Sequence, residues 1–184
     1  AALCADTDPV GQNGYKSFWY TSKNYRATVF FEGETLYFRD IQKFDERYTE
    51  RYLDEPCLKW DAVYDNLPVA DERGWSFEKD SHDAGLDFDG AFVFEGVERD
   101  GSALAVTARA ADGKKITIRL SESEITVSGG AKLHWRFGKF ADFTADKDGV
   151  SFTHNGFSYR VGVKGDLTAA DKELALSGET ITLA

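Results

Sequence analysis

The sequence predicts an all-β fold: an antiparallel β-sandwich of meandering hairpins, with an up-and-down β-barrel as the alternative architecture. Three observations carry this. Short runs alternate apolar with polar residues, the two-residue period of a strand with one buried face. Those runs are punctuated by Asn-Gly, Asp-Gly and Gly-Gly, the chemistry of tight turns. There is no glycine-rich phosphate loop and no alternation of strand with helix, so a parallel α/β sheet is not indicated.

Along the chain, "YKSFWY" (15–20) is a candidate strand. "YRATVFFEGETLYF" (25–38) folds back at Glu32-Gly33, with Val29 expected opposite Leu36 and Ala27 opposite Phe38. "AVYD" (62–65) and "GWSFEKD" (74–80) are candidate further strands. Between these lies "FDERYTERYLDEPCLKW" (44–60), crowded with charges and tyrosines. Ile41, Phe44, Tyr48 and Tyr52 recur at three- and four-residue steps, as one helical stripe would. Asp40 is placed to cap its start and Pro56 to stop it. Glu46/Glu50 and Arg47/Arg51 are like-charge pairs at helical spacing and oppose it. The expectation is a short helical or irregular excursion near 41–56 that docks its tyrosines on the sheet and turns its charges to water.

From Ala91 onward, register can be argued from parity. A two-residue loop at Asp112-Gly113 would set Arg109 against Ile116 and mix the faces. A three-residue loop, Ala111-Asp112-Gly113, instead matches Ala108 with Ile116, Val106 with Ile118 and Leu104 with Leu120. The same device at Arg99-Asp100-Gly101 sets Phe94 against Val106 and Phe92 against Ala108. Ile125 and Val127 answer Leu120 and Ile118. A Gly129-Gly130 turn is expected to lead into "KLHWRF", where Leu133, Trp135 and Phe137 share a face. An Asn155-Gly156 turn matches Phe152 with Tyr159 and Val150 with Val161, leaving Ser151, Thr153, Ser158 and Arg160 on the polar side.

The 184 residues suit a single domain, 1–184, long enough to bury a core without disulfide staples. Acids outnumber bases 32 to 22 and no basic run interrupts them, which argues against nucleic acid as a partner. No apolar run approaches the roughly 20 residues of a spanning helix, so membrane insertion is not expected. The absent methionine is read as a processed or excised start, and an extracytoplasmic or secreted setting is expected. In such a setting Cys4 and Cys57 allow one disulfide, against the alternative of two thiols.

Chemistry-bearing motifs are sparse. Asp45, Glu46, Glu50, Asp54 and Glu55 offer carboxylates for glycoside hydrolysis, which needs two of them across the bond. A charge run is more commonly a solvated face. Of the histidines, His134 and His154 sit on strands and His82 in a polar loop, and no nucleophile elbow frames a serine. Asp6/Asp8, Asp87/Asp89 and Asp146/Asp148 each precede a glycine, and any of them suits a structural calcium; no other cofactor is indicated. Aromatics make up 14% of the chain, enough to furnish sugar-stacking surfaces as well as a core. The leading functional expectation is a non-catalytic extracytoplasmic carbohydrate-binding or accessory module, with a larger polysaccharide-acting protein as its expected setting. Its ligand residues would be Tyr48, Tyr52, Trp60, Trp75, Glu46 and Glu50. An apolar-ligand carrier built as a barrel and a glycoside-acting enzyme are the alternatives.

Overall fold

The structure, a computed structural model, describes residues 1–49, 51–58, 66–72, 84–137, 142–170 and 173–184. Its strands are β1 (Ala2–Asp6), β2 (Tyr15–Thr21), β3 (Tyr25–Glu32), β4 (Thr35–Lys43), β5 (Leu67–Asp71), β6 (Leu86–Phe88), β7 (Phe92–Asp100) and β8 (Ala103–Ala110). They continue as β9 (Lys115–Leu120), β10 (Ile125–Ser128), β11 (Leu133–Arg136), β12 (Asp142–Asp146), β13 (Gly149–His154), β14 (Phe157–Ala170) and β15 (Glu173–Leu183). One helical turn, α1 (Arg51–Asp54), interrupts them. The described pairings are antiparallel and join the strands into one sheet.

The spine of this sheet is β15. β10 and β11 both run along one of its edges, Ile125 opposite Leu183 and Leu133 opposite Leu176, while β14 takes the other. The N–H groups of Gly129 and Gly130 both donate to the Glu179 carbonyl, carrying the ladder across the gap. Gly129-Gly130 therefore does not reverse the chain, as the sequence led one to expect; it is a bulge inside a continuing strand. From the far edge of β10 grows the arm β9-β8-β7, and from β11 the arm β6-β4-β3-β2-β1. The arms curl toward each other until Phe94 of β7 stacks on Phe18 of β2 at 5.2 Å and meets Phe31 of β3 edge-on. The result is all-β and nearly closed, the barrel-like of the two expected architectures.

Three hairpins stand in the register that parity demanded. Phe152 faces Tyr159, Ala108 faces Ile116, and Val127 faces Ile118. At the first of these, Asn155 and Gly156 have φ of 49° and 78°, the left-handed pair of a type I′ turn. Two other hairpins depart from expectation. The β3–β4 turn is Gly33-Glu34, so Val29 faces Phe38 and Phe31 faces Leu36. In β7–β8 a tight turn leaves Asp100 opposite Ala103, and a bulge between Phe94 and Gly96 then sets Phe94 against Ala108 and Phe92 against Ala110. Val29, Phe92 and Phe94 each slip by two positions and keep their faces. A bulge between Thr28 and Val29 carries Ala27 three positions on to Ile41, and the same residues still face inward.

The excursion also begins later than expected. β4 continues through Lys43, Asp40 pairs with Thr28, and Ile41 is buried opposite Ala27. Asp40 caps nothing, because cross-strand burial of Ile41 outweighs a helical stripe that would have used it. Among the described residues helix forms only at Arg51–Asp54, ahead of Pro56. The candidate strands at 62–65 and 74–80 lie outside the described residues.

Candidate functional site

At one end of the curled sheet is an open groove of about 710 Å³. Lys23 and Asn24 come from the β2–β3 turn, Lys43 from the end of β4, and Asn66 and Leu67 from the start of β5. The opposite wall is the loop Phe44–Tyr48, with Leu53 of α1. The loop is fixed from both ends. Phe44 N–H donates to Asn24 C=O at 2.8 Å, which ties it to the β2–β3 turn. Arg47 grips both Asp45 oxygens, Nε to Oδ1 at 2.8 Å and Nη2 to Oδ2 at 2.6 Å. The Arg47 side-chain and backbone donors hold the Asp45 carboxyl far below its ordinary range and raise the guanidinium in turn. The guanidinium also lies over the Phe157 ring at 5.7 Å, and Tyr48 meets that ring edge-on at 5.2 Å. Asn155 Nδ2 donates to the Tyr48 hydroxyl at 3.3 Å.

Of the sequence-predicted ligand residues, the structure brings Tyr48 and Glu46 to the groove wall, Tyr48 half-buried on β14 and Glu46 exposed. Tyr52, half-buried on α1, does not line it. Glu50, Trp60 and Trp75 lie outside the described residues. Lys23, Asn24, Lys43 and Asn66 escaped sequence reasoning, because they come from separate elements and form no local motif.

A second, much smaller space of about 50 Å³ shares Asn24 and Lys43 with the groove. Its walls are apolar: Tyr25, Ile41, Val69, Ile125, Val161 and Leu183, with exposed Ser123 also at its lining. The Tyr25 hydroxyl donates to Ser121 C=O at 2.7 Å and approaches Glu124 C=O at 3.1 Å, which holds that ring in place. Buried side chains make up the described core. Trp135, fully buried, stacks among Phe137 and Phe152 and donates Nε1 to Val69 C=O at 2.8 Å.

Several other titratable groups have partners in the structure. Asp8 accepts the N–H groups of Gln12, Asn13 and Gly14, closing its own loop and lowering its pKa. Asp87 accepts Arg136 Nη2 at 2.7 Å, and Asp146 accepts Arg160 Nη2 at 2.6 Å. Among the described residues no three His, Cys, Asp or Glu side chains converge as metal ligands. His134 pairs with Glu173 at 2.7 Å on the outer face, and His154 is buried beside Asn155. Cys4 and Cys57 are both exposed and are not bonded to each other. On the outer face of β3–β5, Asp40 is buried and accepts Arg26 Nε at 3.0 Å, next to buried Thr28 and opposite buried Asp71. Asp40, Thr28 and Asp71 are buried there, while the Arg26 side chain stays partly exposed.

Among the described residues no helix is long and apolar enough to cross a membrane. No family model, curated protein or solved structure matches the chain.

Proposed function

We propose that the chain is a non-catalytic saccharide-binding module and that the groove beside Tyr48 receives the sugar. The observation that carries this is the groove's make-up. An aromatic ring braced on Phe157 stands among amide, carboxylate and ammonium groups in an open cleft of about 710 Å³. Sugar rings offer both an apolar face and a belt of hydroxyls, and such a wall answers both.

A non-catalytic role is supported by the acids present. Asp45 and Glu46 are the described acids of the groove, and both Asp45 oxygens are taken by Arg47. Hydrolysis of a glycoside asks for two carboxyl groups disposed across the bond. A carrier role is less favoured: the apolar crevice among the described residues holds about 50 Å³, against roughly 300–1,000 Å³ for ligand pockets.

Isothermal titration against a panel of neutral oligosaccharides tests the reading. Binding is expected for at least one, with Tyr48→Ala weakening it about tenfold or more and Tyr48→Phe largely retaining it. Silence across the panel, or a Tyr48→Ala protein that binds as well as the parent, sinks it.

A further inference from the structure

We propose that the saccharide in the groove carries an N-acetyl substituent, read by the small apolar crevice behind Asn24 and Lys43. The inference rests on the saccharide reading of the groove and adds the identity of the group recognised.

Size comes first. At about 50 Å³ the crevice is too small for an acyl chain or a pigment, yet it borders the sugar groove, with which it shares the lining residues Asn24 and Lys43. A methyl group is what such a space accepts. Its aliphatic and aromatic walls would strip water from a hydroxyl or a charge and return no hydrogen bond, a cost on the order of 1–3 kcal/mol for a neutral group. They return nothing of the kind against a methyl, whose burial is favourable.

The polar groups at the mouth match the rest of an acetamido group. Asn24 Nδ2 is already committed to Glu122 C=O at 2.9 Å. That bond fixes the amide plane and leaves its Oδ1 as the acceptor for an amide N–H. Lys43 stands on the rim shared by groove and crevice, with no ion pair to a described residue, and its ammonium is a donor for the acetyl carbonyl. A donor, an acceptor and an apolar hole thus sit together, and an N-acetyl group presents their complements in the same order. The parts are held before any ligand arrives: Asn24 by Glu122 and Tyr25 by Ser121 and Glu124. Pre-set geometry of this kind lowers the ordering cost of binding.

The experiment compares three oligomers of equal length on the intact chain by isothermal titration: N-acetylglucosamine oligomers, glucose oligomers of the same linkage, and the de-acetylated amine. The acetylated oligomer is expected to bind at least about tenfold tighter than the glucose oligomer, the worth of one buried methyl and one or two hydrogen bonds. The amine should be the weakest, since its charge faces Lys43. Ser123→Phe, a substitution at an exposed turn residue that closes the crevice from the rim, should bring the acetylated and glucose oligomers to the same affinity. Equal affinities in the parent protein overturn the acetyl inference and leave the groove reading standing. A preference that survives Ser123→Phe overturns the crevice as its source. Failure of all three oligomers to bind, when other sugars of the panel do, also overturns the inference alone; failure of every sugar overturns both.

Discussion

Asp45 shows how much one side chain organises here. Its two oxygens are held by the guanidinium two residues on, and one of them also accepts the Arg47 N–H at 3.0 Å. Because the folded pKa lies below the unfolded value of 3.8, the interaction is fully present above that pH. It is lost only as pH falls through the lower, folded pKa. In a carboxyl-carbon NMR titration, Asp45 should therefore titrate well below the ordinary aspartate range, and Arg47→Ala should return its midpoint toward 3.8. An ordinary midpoint in the parent protein would show that the clasp does not persist in solution. This pair was hidden in the sequence among many acids and bases, since adjacency in a charged run says nothing about which partners meet. Asp40 misled in the other direction: it looked like a cap because aspartate favours that position, whereas it is a buried strand residue clasped by Arg26.

At the scale of single elements, parity was the legible signal and loop length the weak one. Asn155-Gly156 and Ala111-Asp112-Gly113 each admit one register that keeps the greasy side together, and the structure has it. Gly33 and Gly101 leave the turn position open, and bulges at Thr28/Val29 and Phe94/Gly96 keep the apolar residues inside, so the sequence could not choose between the registers. Gly129-Gly130 deceived because a glycine pair reads as a reversal, when here it admits a close backbone neighbour. Glycines with these separate duties should respond differently to a methyl group. At Gly149, φ is +155° and an added Cβ would stand 2.3 Å from the Val161 carbonyl oxygen, backbone that has nowhere to go. At Gly156 the same atom meets open space, and only the left-handed conformation resists. Urea unfolding should find Gly149→Ala costing about 2–3 kcal/mol and Gly156→Ala about 1 kcal/mol. Equal losses would mean that the β13–β14 approach is looser than drawn.

For the molecule as a whole, the decisive contacts join residues far apart in sequence, and alternation is silent about them. Tyr25 at the head of β3 reaches the β9–β10 turn, and Ser22 and Asn24 both donate to Glu122 C=O there at 2.9 Å. These bonds tie one arm to the other at the groove end, and in doing so they build the crevice. Tyr25→Phe removes the hydroxyl that serves two carbonyls, and should cost about 1–2 kcal/mol of stability. Its more telling result is expected in hydrogen exchange, where amides of both turns should speed up together. Faster exchange confined to the β2–β3 turn would refute the mechanical link. The groove was half-visible in advance, through Tyr48 and Glu46, because that wall is one contiguous loop. Its other wall is assembled by topology, which no local pattern encodes.

The long strand pairing at β15 has a consequence for how the chain comes into being. Hairpins such as β3–β4 and β8–β9 can close as soon as their own residues leave the ribosome. The splint that aligns both wings arrives only with residues 173–183, more than a hundred residues after the first hairpin. Until then the nascent wings present their oily sides to solvent or to whatever chaperone meets them.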